Sequence, residues 1–183
     1  GTEIYRRIIF DYEMIYIEDG EFLLTYAEKY YKCKKGQFVL LCPGVPHRFS
    51  EINTDLSQPH IHFDMMYSQK STRTPVCFKD IPELNQQELE LIQDNIFAEF
   101  EQNPIVIFSD SRTARRIFYD IIDTSDDKSL SKKARLCELI EILIRDNFPK
   151  LLSADINSYG VEQQIKDYID AGQGYRATLQ DFE

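Results

Sequence analysis

Residues 36–50, Gly36-Gln-Phe-Val-Leu-Leu-Cys-Pro-Gly-Val-Pro-His47-Arg-Phe-Ser50, constrain the fold of this chain more than any other stretch. A glycine precedes a short apolar run, Pro43-Gly44 forms a corner, and Pro46 precedes His47. Proline presets φ and glycine accepts φ > 0, so the corner is sharp. A residue before proline is pushed into the extended region, and the segment therefore predicts strand, tight turn, strand, with His47 at the start of the second strand. A histidine held just past a rigid bend is aimed at a metal, a ligand or the core.

Other short β-branched and aromatic runs lie at 8–10, 14–17, 22–26, 30–33, 38–42, 47–49 and 60–67. Glu18-Asp19-Gly20-Glu21 reads as a hairpin turn between Ile17 and Phe22. Strands this short and this regularly spaced predict a sandwich or small barrel, with 76–78 and 105–108 able to complete it.

The second half is helical in pattern. Leu89, Ile92, Ile96 and Phe100 share one helical face, and Asn85 with Glu88 is a capping-box signal, which predicts a helical insertion over 85–101. Ala114, Ile117, Phe118, Ile121 and Ile122 follow a Ser109-Asp110-Ser111 cap, and Leu136, Leu139, Ile140, Leu143 and Ile144 repeat the periodicity. Val161, Ile165, Tyr168 and Ile169 open a last helix that ends near Gly172. The divisions expected are a β domain over 1–108, a helical region over 109–150, and a linker with the start of another domain over 151–183.

A formal charge of −10 sets the chain as a whole against nucleic-acid phosphates. The basic cluster Lys128, Lys132, Lys133 and Arg135 reads as a solvated helix start. No apolar stretch reaches the roughly 20 residues a membrane helix needs, and no membrane partner is expected. Cys33, Cys42, Cys77 and Cys137 are scattered without a CxxC pair, the pattern of a reduced cytoplasmic protein. The Gly-Thr opening lacks a Met and reads as that of a processed or shortened chain.

Strands first, then the Pro-Gly-Val-Pro-His corner, a helical hairpin and Val161 to Asp170 together resemble an AraC-type (AraC/XylS) transcriptional regulator. Asp11 to Glu21, Gly36 to Phe49 and Ile61-His-Phe-Asp64 look like its effector-binding domain, and Ile165 to Ala171 with Ala177 to Asp181 looks like the opening of its helix-turn-helix domain. The resemblance implies a mainly β fold with α, a cupin-like β barrel (double-stranded β-helix) followed by a helical dimerisation region. It also implies a cytoplasmic homodimer that senses a small molecule and meets DNA only through a C-terminal domain. The residues to 183 show no recognition helix, so this chain by itself is expected not to bind DNA.

Metal-binding cupins supply two His and a Glu before a glycine, then a later His after a Pro-Gly turn. Glu13, ahead of Gly20, and His47 match two of those positions; counting back from Glu13 gives Arg7 with Ile9, or Arg6 with Ile8, where the other two belong. Two ligands are too few for a catalytic metal, which needs about three protein ligands and an open position. No metal, cofactor or catalytic residue is therefore expected, and the protein is read as a non-enzyme. The competing reading is a metal-dependent cupin isomerase or oxygenase acting on a small polar substrate; a scaffold that only dimerises is a third.

A ligand pocket accounts for the same residues. Strand alternation puts Glu13, Ile15 and Ile17 on one face, His47 and Phe49 on another, and His62 and Asp64 on a third. Converging, these faces offer an acid, imidazoles and an aromatic wall, with Arg7 or Arg48 at the mouth, a lining suited to a small polar effector such as a sugar. His60 shares its strand face with His62 but reads as a residue bonded locally after Pro59. The stripe Leu136, Leu139, Ile140, Leu143, Ile144 has two readings, packing on the β domain or the dimer contact that the resemblance implies. They are compatible if Leu139 and Leu143 point inward while Cys137, Glu141 and Ile144 face a partner.

Overall fold

The corner at Pro43-Gly44 carries the chain from one sheet to the other. In the computed structural model, which describes residues 5–50, 52, 55–65, 75, 77–125 and 129–148, β4 (Phe38–Leu41) ends just before the corner and β5 (His47–Ser50) begins on His47. Gly44 has φ 72°, and a Cβ there would lie 3.0 Å from Cγ2 of Ile92, so both the backbone conformation and the space require glycine. The Gly44 N–H donates to the Ile9 carbonyl, and the Cys42 N–H donates to the buried Tyr26 hydroxyl at 3.1 Å, which fixes both flanks of the bend.

Two antiparallel sheets result. β1 (Tyr12–Tyr16) is flanked by β6 (His60–Phe63) and β4, with β7 (Ile105–Val106) outside β4; β2 (Glu21–Tyr26) is flanked by β3 (Lys29–Lys34) and β5. The fold is mainly β with α and cupin-like, as expected. Residues up to Asn147 form one compact unit; the second, Phe148–Glu183, falls outside the described residues but for Phe148, and with it the expected helix-turn-helix start over 151–183.

β1 is buried along its whole length because its faces serve different layers. Tyr16 packs at 4.7 Å between ring centroids on Phe38, and Phe38 in turn meets Phe118 of α2 (Ser111–Asp123) edge-on at 5.6 Å. α2 starts on Asp110, whose carboxylate accepts from the N–H groups of Arg112 and Thr113, as the cap signal predicted. Its buried face is Ala114, Ile117, Phe118 and Ile121; Ile122, expected there too, is 38% exposed. α3 (Ser129–Asn147) packs on α2 with Leu139 and Leu143 fully buried.

Three local readings need correction. The Asp19-Gly20 turn joins no hairpin, since β1 and β2 lie in different sheets; Asp19 is instead bridged to Ser57. The tight hairpin joins β2 to β3 through Ala27 and Glu28, both with positive φ (46° and 64°) and neither a glycine or asparagine. The helix expected over 85–101 stops after one turn, α1 (Gln86–Leu89), which does carry the Asn85–Glu88 capping box. Beyond it the backbone is captured from afar: Gln93 N–H donates to the Phe10 carbonyl, Ile96 N–H to the Tyr12 hydroxyl at 2.8 Å, and that hydroxyl to Asn95 Oδ1. Finally, residues 8–10 are buried but form no strand, and only Arg7 beside them bridges to His47.

Candidate functional site

Arg7 is placed by its backbone before its side chain acts. Its N–H and C=O each bond the complementary group of His47 at 2.9 Å, a bridge that sets the two side chains together. Arg7 Nε then donates to His47 Nε2 at 3.3 Å, and Nη2 stands 3.7 Å from Glu13 Oε2. The guanidinium also lies 5.2 Å from the centre of the Phe78 ring, an exposed aromatic face.

His47 is 1% exposed and both ring nitrogens are engaged. Nδ1 lies 3.1 Å from the Val45 carbonyl, an acceptor only, so Nδ1 carries the proton and Nε2 offers its lone pair to Arg7. Burial pushes the His47 pKa down to about 4, and the Arg7 charge pushes the same way against the Val45 carbonyl. The ring is neutral at pH 7 and acts as an acceptor that steers Arg7. Phe49, two residues on, touches the His47 ring edge-on at 5.8 Å and Phe22 at 5.1 Å, forming a wall behind the imidazole.

Glu13 is 4% exposed. It pairs across the ladder with His62, which puts the two side chains on one sheet face, and its Oε1 lies 3.9 Å from His62 Nε2. Its other oxygen, Oε2, is buried and has no hydrogen-bond partner among the described residues. His62 Nδ1 is held at 3.1 Å by both carboxylate oxygens of Asp11, the bond that chiefly raises the His62 pKa. His60, facing Ile15 across the same ladder, completes a group with Glu13 and His62 whose ligand atoms all lie within 4.8 Å of one another; these three could hold a metal.

Of the six residues expected at the site, Arg7, Glu13, His47 and His62 converge, with Phe49 behind His47. Asp64 lies past the end of β6, where the Gln93 side-chain amide donates to its carboxylate. Arg48 pairs with Thr25 and lines a cleft of 210 Å³ with Arg6, Glu28, Tyr30, Pro46 and His47, so His47 borders this cleft as well as the Arg7–Glu13 group. Arg6 in that cleft is already taken by Glu28 at 2.8 Å and by Asp80. Sequence reasoning passed over Asp11, whose only signal was its position two residues before Glu13, and set His60 aside as a locally bonded residue.

One half-buried guanidinium faces one buried carboxylate at more than hydrogen-bond distance, with a neutral imidazole on one side and a chargeable one on the other. Residues 6–140 match the sequence model of a family described as an AraC-like ligand binding domain. A search of curated proteins gave no match.

Proposed function

Since the chain belongs to the family of AraC-like ligand binding domains, we propose that it is the effector-sensing and dimerisation portion of an AraC-type transcription regulator. The effector is a small polar molecule, a sugar being the best chemical fit, held by Arg7, Glu13 and His62. The observation that carries this reading is the Glu13 carboxylate, buried on β1 with Oε2 unbonded among the described residues and Arg7 at 3.7 Å. A buried acceptor left unbonded costs about 1–3 kcal/mol, and a ligand hydroxyl recovers it. A hydroxyl both donates and accepts, so one group can serve Glu13 and Arg7 together. His47 and Phe49 act behind them, because the His47 nitrogens are already used.

Dimerisation is assigned to the outer side of α3. Leu139 and Leu143 are spent within the protomer, whereas Leu136, Ile140 and Ile144 are half-buried and Cys137 and Glu141 exposed beside them. Effector binding would then bias the arrangement of α2 and α3, and through them a DNA-binding domain following in the longer protein. The ligand need only bind one arrangement better, and a coupling of about 1–3 kcal/mol changes an affinity 5–150-fold.

A thermal-shift screen of the chain against sugars and small polar metabolites, run in a metal chelator, tests this. A binder at 100 times its Kd should stabilise the fold by about 2.7 kcal/mol. That gain should saturate with concentration and vanish in Glu13→Gln. Stabilisation that persists undiminished in this variant would contradict the assignment.

A further inference from the structure

We infer that Glu13, His60 and His62 form a binding site for a first-row divalent cation, of which Zn²⁺ is the best-suited probe. The cluster differs from the pair Glu13 and His47 that the cupin resemblance pointed to, and His47 is excluded from it because Arg7 occupies its Nε2. The inference does not rest on the effector reading.

The sheet register builds the site. Glu13 faces His62 directly, and His60 lies two residues along the same strand, so all three side chains leave the same face. The two imidazole rings stand 5.7 Å apart at 84°, and the ligand atoms of the three residues fall within 4.8 Å of one another. Tetrahedral coordination with bonds of about 2.0–2.1 Å needs donors about 3.3 Å apart, a closure of roughly 1.5 Å at most, within reach of side-chain rotation.

The orientation of each histidine is the second observation. His62 Nδ1 is tied to the Asp11 carboxylate at 3.1 Å and His60 Nδ1 lies 3.4 Å from the Gln58 carbonyl. Both partners are acceptors, so in the neutral rings both Nδ1 atoms carry the proton and both Nε2 lone pairs are free for the cation. A carboxylate or carbonyl behind a metal-bound imidazole is the arrangement that fixes tautomer and ring angle in known sites. Glu13 supplies the third donor, with a side chain only 5% exposed and Oε2 unbonded among the described residues. Arg7 approaches that oxygen at 3.7 Å, while Oε1 faces His62, so the carboxylate stands between the guanidinium and the ion. Asp11 and Glu13 together offset the ion and leave its outer positions open to water or a ligand oxygen.

Calorimetric titration of the purified chain with Zn²⁺ alone tests the site, with Co²⁺ absorption spectra reporting ligand type. The expected result is about one equivalent bound, with a Co²⁺ spectrum of nitrogen and oxygen ligands and no thiolate band. His60→Ala, a change on an exposed residue, should weaken Zn²⁺ at least tenfold, as should His62→Ala; Asp11→Asn should cost about 10–100-fold through the loss of orientation. Cys137→Ser, which removes the exposed thiol, should leave affinity unchanged. Absence of stoichiometric binding to the folded wild type, or binding that survives His60→Ala combined with His62→Ala, would overturn the inference. Because the effector screen is run in chelator, either idea can fail without the other.

Discussion

Arg7 and His47 are joined twice, by a reciprocal pair of backbone hydrogen bonds at 2.9 Å and by a side-chain bond from Nε to Nε2 at 3.3 Å. The backbone bridge brings the N-terminal segment against the first residue of β5. The side-chain bond then turns the guanidinium toward Glu13. This one relationship converts a position where a metal-binding cupin would place ligands into a half-buried cation facing a buried anion.

Removing the guanidinium should therefore cost more than a surface charge would. Arg7→Met strands the buried Glu13 carboxylate, and loss of one partner of a buried pair costs about 3–5 kcal/mol. The double variant Arg7→Met with Glu13→Leu should recover much of that loss. Urea denaturation of the single and double variants measures the coupling, and strictly additive losses would refute it.

Acid should destabilise the fold through His47. Its folded pKa of about 4 lies below the ordinary 6.5, so between these values the unfolded chain binds more protons and stability rises with pH. The full effect, at 1.36 kcal/mol per unit, is about 3 kcal/mol, present above 6.5 and lost as pH falls to 4. His62 has the opposite sign: its raised pKa adds stability below 6.5 that disappears as pH rises through the folded value. His47→Gln should flatten the acid limb of the stability profile and His62→Gln the limb above 6.5, read from urea midpoints across pH.

The corner should be intolerant at Gly44 and milder at Gly36. Gly44→Ala meets both φ 72° and Ile92 Cγ2 at 3.0 Å, while Gly36→Ala meets φ 85° with nothing within 4 Å. The conformational part costs about 1–2 kcal/mol in either case. Thermal melts should place Gly44→Ala well below Gly36→Ala, and equal losses would show that the Ile92 contact is immaterial.

Tyr12→Phe tests what truncates the helix after Leu89. The hydroxyl accepts from Ile96 N–H and donates to Asn95 Oδ1, both at 2.8 Å. Its removal leaves the Ile96 N–H unpaired, while Asn95 Oδ1 keeps the Phe97 N–H at 2.9 Å, and should cost about 1–3 kcal/mol, with amide exchange at Ile96 accelerated.

These cases show what the sequence could reveal. Pro43-Gly44 and Pro46 act through their own backbones, so the corner and the placement of His47 were legible. Strand parity likewise placed Glu13 beside Ile15 and His47 beside Phe49 on shared faces. The 85–101 helix was misread because Phe10 and Tyr12, far earlier in the chain, take the N–H groups that would have continued it. Asp19-Gly20 carried a strong hairpin signal, yet its partner is Ser57, while Ala27-Glu28 turns the chain tightly with no such signal. At the site, Asp64 belonged to the right face by parity but lies past the strand end, within reach of Gln93.

If the Glu13–Arg7 pair is the seat of effector recognition, a crystal structure of the chain with a compound that stabilises it will show a ligand oxygen within hydrogen-bond distance of the Glu13 carboxylate, with Arg7 still bonded to His47. A ligand lodged instead in the cleft of Arg6, Thr25, Glu28 and Arg48, with Glu13 untouched, would contradict it.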